Sequence, residues 1–324
     1  MVNDFLSELP KHVLEESKNM NLTIKSVQAN KAIDSVLSQT VLRGGKRLRP
    51  LLTYLVANVF QLDFQKVAPF ARASELVHAA SLSHDDVIDN ATTRRGAPSI
   101  NILSSNQKAV LAGDYLLASV IVDLTNQGNL DLVREMSLVI KDLSEGEWLQ
   151  LDLISDRNYT RDLIQEIAQK KTSSVMSYCC LAPAILANQD KKVVDAFREF
   201  GNRLGLAFQL IDDTLDYSGD SLKDQELDLK NNIVNAVVFE LLDDNKDLFE
   251  RYKKGENLLD VVSGKDFSKY VSIVSARAEN HLEVASNILE ELKAHLKSTQ
   301  TATHLDEAFQ ALHLIISYMA LRKQ

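Results

Sequence analysis

The chain has 324 residues, of which 45% are hydrophobic, with 5 prolines, 11 glycines and a net charge of −9. The acidic balance argues against a nucleic-acid-binding surface, and the scarcity of prolines and glycines favours long helices. No run of 18 apolar residues and no basic, apolar leader occurs in the sequence, so we expect neither a transmembrane helix nor a signal peptide. Adjacent Cys179 and Cys180 predict a reduced, cytoplasmic protein without a disulfide framework.

The N-terminal part of the chain is predicted to be helical on both sides of a basic turn. Residues 4–40 read as two helices and residues 51–60 as a buried helix. Between them lies GGKRLRP at 44–50, where two glycines free the backbone and three cations follow within four residues. Cations at the start of a helix suit an anion, because a helix N-terminus favours negative charge. A solvated basic turn is the alternative.

The helix predicted over residues 70–89 carries three carboxylates in an apolar setting. Asp85 and Asp89 lie one turn apart on one face, and Asp86 lies on the same turn. Two unit charges about 5 Å apart repel by about 3 kcal/mol at an effective dielectric of about 20. A hard cation such as Mg²⁺ would cancel that cost. His78, two turns before Asp85, reads alone as a core histidine.

The same spacing of carboxylates recurs in the helix predicted over residues 195–217. Asp212, Asp213 and Asp216 again lie within apolar sequence, and Gln209 lies one turn before Asp213. A single DDxxD motif more often marks a solvated acidic face, but two copies with hydrophobic flanks favour a metal site. We therefore predict two Asp-rich helices that face each other across a cavity.

Further helices are predicted between and after the two acidic helices. They cover residues 109–124, 135–153, 163–186, 235–242, 267–296 and 306–321. Residues 218–232 are predicted to form a polar loop, and residues 246–264 are predicted to be polar and mobile. The paired arginines Arg94 and Arg95 suit bidentate phosphate contact. Lys170 and Lys171 enter an apolar helix and need a partner anion. The single tryptophan, Trp148, is expected to fill the core.

The sequence therefore predicts an all-α protein. It contains no strand alternation longer than four or five residues, no Gly-rich phosphate loop, no Cys/His metal cluster and no linker long enough to divide domains. The predicted architecture is one domain over residues 1–324, a helical bundle with a central cavity between the two Asp-rich helices.

The motifs and their order resemble those of the trans-polyprenyl diphosphate synthases, which extend an allylic diphosphate with isopentenyl diphosphate. The blocks that carry the resemblance are GGKRLRP at 44–50, DDVID at 85–89 with RRG at 94–96, KT at 171–172 and FQLIDDTLD at 208–216. The resemblance covers most of the chain and is strongest to long-chain bacterial synthases (hexa-, hepta- and octaprenyl). It implies the isoprenoid synthase fold and a prenyltransferase that uses Mg²⁺, as three ions with bound diphosphate.

The resemblance also assigns roles to individual residues. Six aspartates form the metal-binding set, with Asp85, Asp89 and Asp212 as direct ligands and Asp86, Asp213 and Asp216 supporting them through water or indirect contacts. The residues assigned to isopentenyl diphosphate are Lys46, Arg49, His78 and Arg95. Those assigned to the allylic substrate are Arg94, Lys171, Thr172 and Gln209. The implied catalytic group is Asp85, Asp89, Asp212 and Lys171.

The sequence departs from the family's pattern after the second acidic motif. The family continues with GKPxGxDLxxGKxTLP, whereas this chain has LKDQELDLKNNI at 222–233. Lys223, a further substrate-binding candidate, and Asp228 align with that pattern. The glycines are absent, and Ile233 replaces a second lysine. The departure predicts a weaker clamp on the allylic diphosphate.

The resemblance also bears on product length and assembly. Ala80 and Ser81, about one turn before Asp85, have small side chains. The resemblance implies that large aromatic side chains at these positions close the bottom of the cavity and stop elongation of the product early. We therefore predict a product of about C30 to C40, of the kind used for quinone side chains, since each helical turn of depth admits about one more isoprene unit. Close helix packing is the other explanation for two small residues.

Alternative functions are a geranylgeranyl or farnesyl diphosphate synthase and a weakly active subunit of a heteromeric synthase. A terpene cyclase is disfavoured, because it would leave GGKRLRP without a role. The expected assembly is a homodimer, or a heterodimer with a small subunit.

Overall fold

The computed structural model describes residues 8–24, 30–45, 47–217, 229–297 and 302–321. Its helices are α1 (Lys11–Asn19), α2 (Lys31–Gln39), α3 (Leu48–Val59), α4 (Phe64–Ile88), α5 (Ile100–Leu103), α6 (Asn106–Asn126), α7 (Leu130–Asp156), α8 (Arg161–Ala168), α9 (Ser174–Leu186), α10 (Lys191–Leu215), α11 (Ala236–Asp244), α12 (Lys246–Lys253), α13 (Leu258–Val262), α14 (Ser268–Lys297) and α15 (Ala302–Leu321). A π-helical turn, Gln169–Ser173, joins α8 to α9. The predicted all-α fold is confirmed.

A short hairpin follows α4 and carries the paired arginines. Its strands are β1 (Thr93–Arg94) and β2 (Ala97–Pro98), which pair antiparallel. Arg95 and Gly96 between them have φ values of 51° and 73°, the left-handed backbone that a tight two-residue hairpin turn requires. The turn returns the chain to the end of α4, so that the paired arginines lie close to the first acidic motif.

Two hydrophobic cores hold the helices. The first lies among α3, α9, α10, α11, α14 and α15, with Leu52, Phe197, Leu204, Leu289 and Phe309 among its fully buried residues. The second lies among α4, α6, α7 and α9, with Leu76, Ala80, Leu116, Met136 and Leu181 among its members. The two Asp-rich helices therefore belong largely to different cores, and the space between them forms the site described below.

The close approach of α9 and α10 depends on two glycines. A Cβ added at Gly205 would lie 2.4 Å from Cα of Ser173, and one at Gly201 would lie 2.5 Å from the carbonyl oxygen of Met176. Both distances are too short for a side chain, so the helices meet backbone to backbone. This contact brings Gln209, one turn after Gly205, next to Thr172 of the π-helical turn.

Residues 246–264, which were expected to form a polar, mobile segment, contain two short helices in the structure. This segment contains α12 and α13, because apolar side chains recur at helical spacing within otherwise polar sequence. Tyr252 and Leu258 are fully buried, and Val261 is 1% exposed, so both short helices are held by the first core.

The prediction that Trp148 fills the core was wrong, because its side chain is 71% exposed. The buried residues of α7 form a stripe that includes Leu132, Met136, Val139, Gly146 and Leu153. Trp148 lies two residues beyond Gly146, which places it on the far side of the helix from that stripe.

One described helix, α6, is long and apolar enough to cross a membrane by length and composition alone. Its most apolar window has a mean hydropathy of 1.3, and 44% of that window is buried inside the fold. A helix packed into a protein core meets the same criterion, so this is weak evidence for a membrane span.

Candidate active site

A cavity of about 430 Å³ lies between the two Asp-rich helices, α4 and α10. Residues from α3, α7, α8, the π-helical turn, α14 and the segment before α11 also contribute to its walls. The sequence-predicted residues that line it are Arg49, His78, Asp85, Lys171, Thr172, Gln209, Asp212, Asp213 and Asp216. Of the other candidates, Asp86, Asp89, Arg94 and Arg95 do not belong to the described lining, and Lys46 and Lys223 lie outside the described residues.

The first acidic motif presents Asp85 to the cavity at the last turn of α4. Burial raises the pKa of Asp85 to about 7. The charge of Lys171 opposes this increase, and the charges of Glu147 and Asp89 add to it. Burial, with Glu147 as the next contribution, also raises the pKa of Asp89. Burial thus disfavours the carboxylate form of Asp85, and a cation bound beside it would favour that form.

Asp86 faces away from Asp85 and ties α4 to the following hairpin. It is fully buried, with 0% exposure, and its Oδ1 accepts a hydrogen bond from Arg94 Nε at 2.6 Å. Its Oδ2 accepts from the backbone N–H of Ile100, the first residue of α5, at 3.4 Å. Asp86 therefore stabilises the segment that carries the two arginines, and its position is that of a supporting group.

Asp213 repeats this arrangement on α10. Its Oδ1 accepts a hydrogen bond from Gln209 Nε2 at 2.9 Å, and its Oδ2 accepts from the backbone N–H of Ala236, the first residue of α11, at 3.0 Å. Gln209 Oε1 in turn accepts from Thr172 Oγ1 at 2.7 Å. In both motifs the middle aspartate thus anchors the next helix, while Asp85 and Asp212 line the cavity from opposite walls.

A cationic cluster lies on the α3 side of the cavity. The Nε atom of Arg49 is buried without a hydrogen-bond partner among the described residues, and so is Oε2 of Glu75. Burial lowers the pKa of Arg49, and the charge of Glu75 opposes that effect. Burial and the charges of Arg49, Arg95 and Arg94 hold the pKa of His78 well below its usual range, so its imidazole is neutral.

Arg95 joins the hairpin to the glycine-rich turn before α3. Its Nη1 donates a hydrogen bond to the carbonyl oxygen of Arg43 at 2.9 Å. A Cβ at Gly45 would lie 3.2 Å from the same nitrogen, and Gly45 has a φ of 94°, so glycine suits this contact on both counts. The two basic motifs of the sequence are therefore neighbours in space.

Lys171 enters the cavity from the π-helical turn, a rare geometry that often marks functional sites. Its Nζ donates to Glu147 Oε2 and, at 3.2 Å, to Gln150 Oε1. The preceding Lys170 instead pairs with Glu145 Oε2 at 2.8 Å. The anionic partners that these lysines were expected to need are thus supplied by α7.

Sequence reasoning gave no role to several other lining residues. Glu147 and Gln150 of α7, and Arg277 and His281 of α14, all line the cavity. The i, i+3 and i, i+4 spacings of these pairs were visible in the sequence, but such pairs are too common to single out. Ile233, which replaces an expected lysine, also lies on the wall.

Metal binding at this site would need ligands from several walls. Among the described residues, no three His, Cys, Asp or Glu side chains are grouped so that they could hold a metal ion by themselves. Asp85 and Asp212 offer carboxylates from opposite sides. This donor set fits Mg²⁺, which binds through one or two carboxylates and completes its coordination with water and phosphate oxygens.

The raised pKa of Asp85 predicts a pH-dependent stability of the metal-free protein. Because the folded pKa, about 7, lies above the ordinary 3.8, the folded state binds the extra proton, and the free energy of unfolding falls as pH rises between these values. Asp85→Asn removes this penalty. The difference in free energy of unfolding between Asp85→Asn and the wild-type protein should therefore be about 1–3 kcal/mol larger, in favour of the variant, at about pH 8 than at about pH 5.

Urea unfolding in the presence of a chelator measures this difference. Asp152→Asn, a change at an exposed residue of α7, is the matched control and should alter stability by less than about 0.5 kcal/mol at either pH. An Asp85→Asn gain of the same size at both pH values would contradict the burial of this carboxyl as the cause.

Comparison with known proteins identifies the family. A family model described as polyprenyl synthetase matches residues 30–279. A prenyl transferase of Cyanidium caldarium is 32% identical over 299 residues, which cover 86% of this chain and 90% of the relative. A mitochondrial solanesyl-diphosphate synthase of Oryza sativa subsp. japonica is 32% identical over 76% of this chain and 63% of the relative. A decaprenyl-diphosphate synthase of Dictyostelium discoideum is 40% identical over 54% of this chain and 38% of the relative.

The chain spans between 38% and 63% of the length of four of the curated relatives it matches. Among solved structures, a polyprenyl synthase from Caulobacter crescentus CB15 complexed with calcium and isoprenyl diphosphate has a TM-score of 0.75 and 26% identity over 99% of this chain and 98% of that chain. A heptaprenyl diphosphate synthase from Staphylococcus aureus has a TM-score of 0.78 and 22% identity over 100% of this chain and 99% of that chain. At this identity the likeness supports the fold alone. With the family model matching more than half of its residues, the chain belongs to the polyprenyl synthetase family.

Proposed function

We propose that the chain is a trans-prenyltransferase that joins isopentenyl diphosphate to an allylic diphosphate. The observation that carries this proposal is the placement of Asp85 and Asp212 on opposite walls of one cavity that is also lined by the half-buried cationic side chain of Arg49. The relatives named prenyl transferase, solanesyl-diphosphate synthase and decaprenyl-diphosphate synthase support the same reaction.

In this proposal Asp85, Asp89 and Asp212 hold Mg²⁺, and Asp86, Asp213 and Asp216 support them. The raised pKa of Asp85 favours this role, because a neighbouring cation restores the carboxylate. The related polyprenyl synthase that carries calcium and isoprenyl diphosphate also supports it. Bound Mg²⁺ would supply positive charge that offsets the negative charge growing on the departing diphosphate.

The protein's own side chains would bind and separate the two substrates. Arg49 and neutral His78 would hold isopentenyl diphosphate at the α3 side, with Arg95 beside them. Lys171 and Thr172 would serve the allylic diphosphate on the opposite side. Charge-assisted hydrogen bonds of this kind fix the reacting carbons next to each other, and such positioning supplies a large part of the rate.

The reaction requires no protein nucleophile. The allylic C–O bond breaks, and its electron pair leaves with the diphosphate. The double bond of isopentenyl diphosphate then attacks the carbocation, and a proton passes to the released diphosphate, which leaves a chain one isoprene unit longer. Leu82, Leu143 and Phe208 line the same cavity and would keep water away from the carbocation.

We infer a long product from the wall below the first acidic motif. Ser81, one turn before Asp85, lines the cavity with a small side chain, and Leu82 and Leu143 connect the cavity to the second core. Ala80 has no exposed surface and lies inside that core. Among the described lining residues, none contributed by α4 is Phe, Tyr or Trp. We therefore expect a growing chain to extend past Ser81 towards α7, to about C30–C40 at one isoprene unit per helical turn.

We further propose that two copies of this chain associate through α6 and α7, which pack against each other. Their exposed faces carry a set of large apolar side chains: Val110, Leu111, Val122, Leu130, Leu138, Trp148 and Leu151. Apolar side chains concentrated on adjacent helices are typical of an interface. Light scattering should therefore give twice the chain mass of 36.2 kDa.

Leu111→Glu combined with Trp148→Glu should convert the dimer to monomers, because it would place charges in the buried interface. A wild-type monomer at micromolar concentration, or a dimer that this double variant leaves intact, would contradict this assignment of the interface.

The two adjacent cysteines support a reducing compartment, such as the cytoplasm. Cys179 and Cys180 are free thiols without exposed surface, and burial raises the pKa of both. They therefore act as small core residues.

The proposed function is tested by measuring the release of pyrophosphate. Purified protein with Mg²⁺ should release pyrophosphate only when isopentenyl diphosphate and an allylic diphosphate are both present, and a chelator should stop the release. The second candidate is a subunit with little activity of its own, favoured by Ile233 on the cavity wall. In that case both substrates together would give no release. Release from the allylic substrate alone would instead indicate a cyclase or a hydrolase.

A further inference from the structure

The cavity has few cations on the wall beside the second acidic motif. Among the described lining residues, the lysines and arginines are Arg49, Lys171 and Arg277. Arg49 lies on the α3 side, and Lys171 donates to Glu147 and Gln150. Ile233 contributes no charge. The remaining guanidinium of this lining is that of Arg277, from α14, and the charge of Asp213 acts on it.

Arg277 shares one carboxylate with a second arginine. Its Nη1 donates to Glu240 Oε1 at 3.0 Å. Arg161 binds the same carboxylate in bidentate fashion, through Nε to Oε1 at 2.9 Å and Nη2 to Oε2 at 2.8 Å. Arg161 Nη2 also lies 3.8 Å from Asp243 Oδ2, so a second carboxylate offsets the second guanidinium. Because Arg161 already binds both oxygens of Glu240, this carboxylate does not need Arg277 as a partner.

Of the two arginines on Glu240, Arg277 is the one that lies at the cavity. The Arg161 side chain is 51% exposed and is not among the described lining residues, whereas the Arg277 side chain is 23% exposed and belongs to the cavity wall. Burial lowers the pKa of Arg277, opposed by the charges of Glu240 and Asp213. His281, one turn further along α14, is neutral, because burial and the charges of Arg203 and Arg277 lower its pKa. Arg277 is therefore the cation of this wall.

The donors of Arg277 suit a diphosphate. A guanidinium carries five N–H donors in a planar fork that matches two phosphate oxygens. Within the described part of the chain, its hydrogen bond to Glu240 uses only one nitrogen, Nη1. The other nitrogens are available to an anion in the cavity without loss of that bond.

We propose that Arg277 binds the diphosphate of the allylic substrate and supplies the positive charge that Ile233 does not. The identity of that substrate rests on the proposed function, whereas recognition of a diphosphate group by Arg277 does not. Arg277 would thus join Lys171 and Thr172 as a residue that binds the allylic diphosphate, although it lies on α14, far from them along the chain.

Binding of inorganic pyrophosphate in the presence of Mg²⁺, measured by titration calorimetry, tests the proposal. Arg277→Gln keeps a donor for Glu240 but removes the charge, and it should weaken pyrophosphate binding by about 10- to 100-fold. Arg161→Gln is the matched control, because it perturbs the same carboxylate from outside the cavity, and it should weaken binding by less than about threefold. Ile233→Lys placed in the Arg277→Gln protein should restore most of the lost affinity.

Unchanged pyrophosphate affinity in Arg277→Gln would overturn the proposal, and so would equal losses in Arg277→Gln and Arg161→Gln, which would trace the effect to Glu240. If Arg277→Gln fails to fold, the same measurement is made on a double variant, Arg277→Met with Glu240→Gln, which removes both charges. A wild-type protein that binds pyrophosphate through Arg277 but transfers no prenyl group would refute the proposed function alone. Normal transfer with pyrophosphate binding independent of Arg277 would refute this inference alone.

Discussion

Replacing Asp85 or Asp212 with alanine should reduce kcat for prenyl transfer by at least about 10²–10³-fold, because each change removes charge stabilisation that is needed chiefly in the transition state. The two residues lie on opposite walls of the cavity, so neither can take over the other's part. Removing a carboxylate with a raised pKa relieves a burial cost, and Asp85→Ala should therefore leave the metal-free fold intact.

The matched controls are Asp152→Ala and Asp86→Ala. Asp152 is exposed on α7 and should have no effect on the rate. Asp86→Ala removes the partner of Arg94 and of the Ile100 N–H, so it should lower the free energy of unfolding by about 3 kcal/mol or more, as expected when one member of a buried ion pair is lost. Steady-state kinetics combined with urea unfolding separates these outcomes. A fully active Asp85→Ala or Asp212→Ala enzyme would contradict metal binding across the cavity.

Replacing Ser81 with phenylalanine should shorten the product from about C30–C40 to about C15–C20 while transfer continues, since it closes the cavity about one turn below Asp85. Ser81 lines the cavity, and its Oγ donates only to the carbonyl oxygen of His78, at 2.9 Å, among the contacts of the described residues. A chain forced past the new ring would cost about 1–3 kcal/mol in overpacking, which is enough to stop most chains.

Ser81→Ala and Ala80→Phe are informative partners of this variant. Ser81→Ala keeps the wall small and should leave product length unchanged. Ala80 has no exposed surface, so a phenylalanine there should mainly destabilise the second core, by about 1–3 kcal/mol. Chromatography of the products measures chain length directly. An active Ser81→Phe enzyme with unchanged products would place the floor of the cavity elsewhere.

The sequence was sufficient for the fold class and for most of the cavity. Helical periodicity placed α4 and α10, and the repeated spacing of Asp85–Asp89 and Asp212–Asp216 brought both motifs to one cavity, as expected. The two middle aspartates lie about 100° around their helices from Asp85 and Asp212, which allows them to bind the N–H groups of Ile100 and Ala236 instead.

Contacts between distant segments were not predictable from the sequence. Lys171 meets Glu147 across 24 residues, and Arg277 meets Glu240 across 37. Both contacts depend on how whole helices pack, and no local motif reports that packing. Hydrophobicity alone favoured a core position for Trp148, whereas its position on the helix lies outside the buried stripe of α7. The helices in residues 246–264 were missed because few apolar residues hold them.

The most direct test of the central claim is to incubate the purified chain with Mg²⁺, isopentenyl diphosphate and, in turn, dimethylallyl, geranyl, farnesyl and geranylgeranyl diphosphates. The products are then sized by mass spectrometry. We expect polyprenyl diphosphates of about C30–C40 from at least one primer, formed by successive additions of one isoprene unit, and none after chelation. A protein that elongates no primer in the presence of Mg²⁺ would contradict prenyl transfer as its function, and products no longer than about C20 would contradict the open path below Ser81.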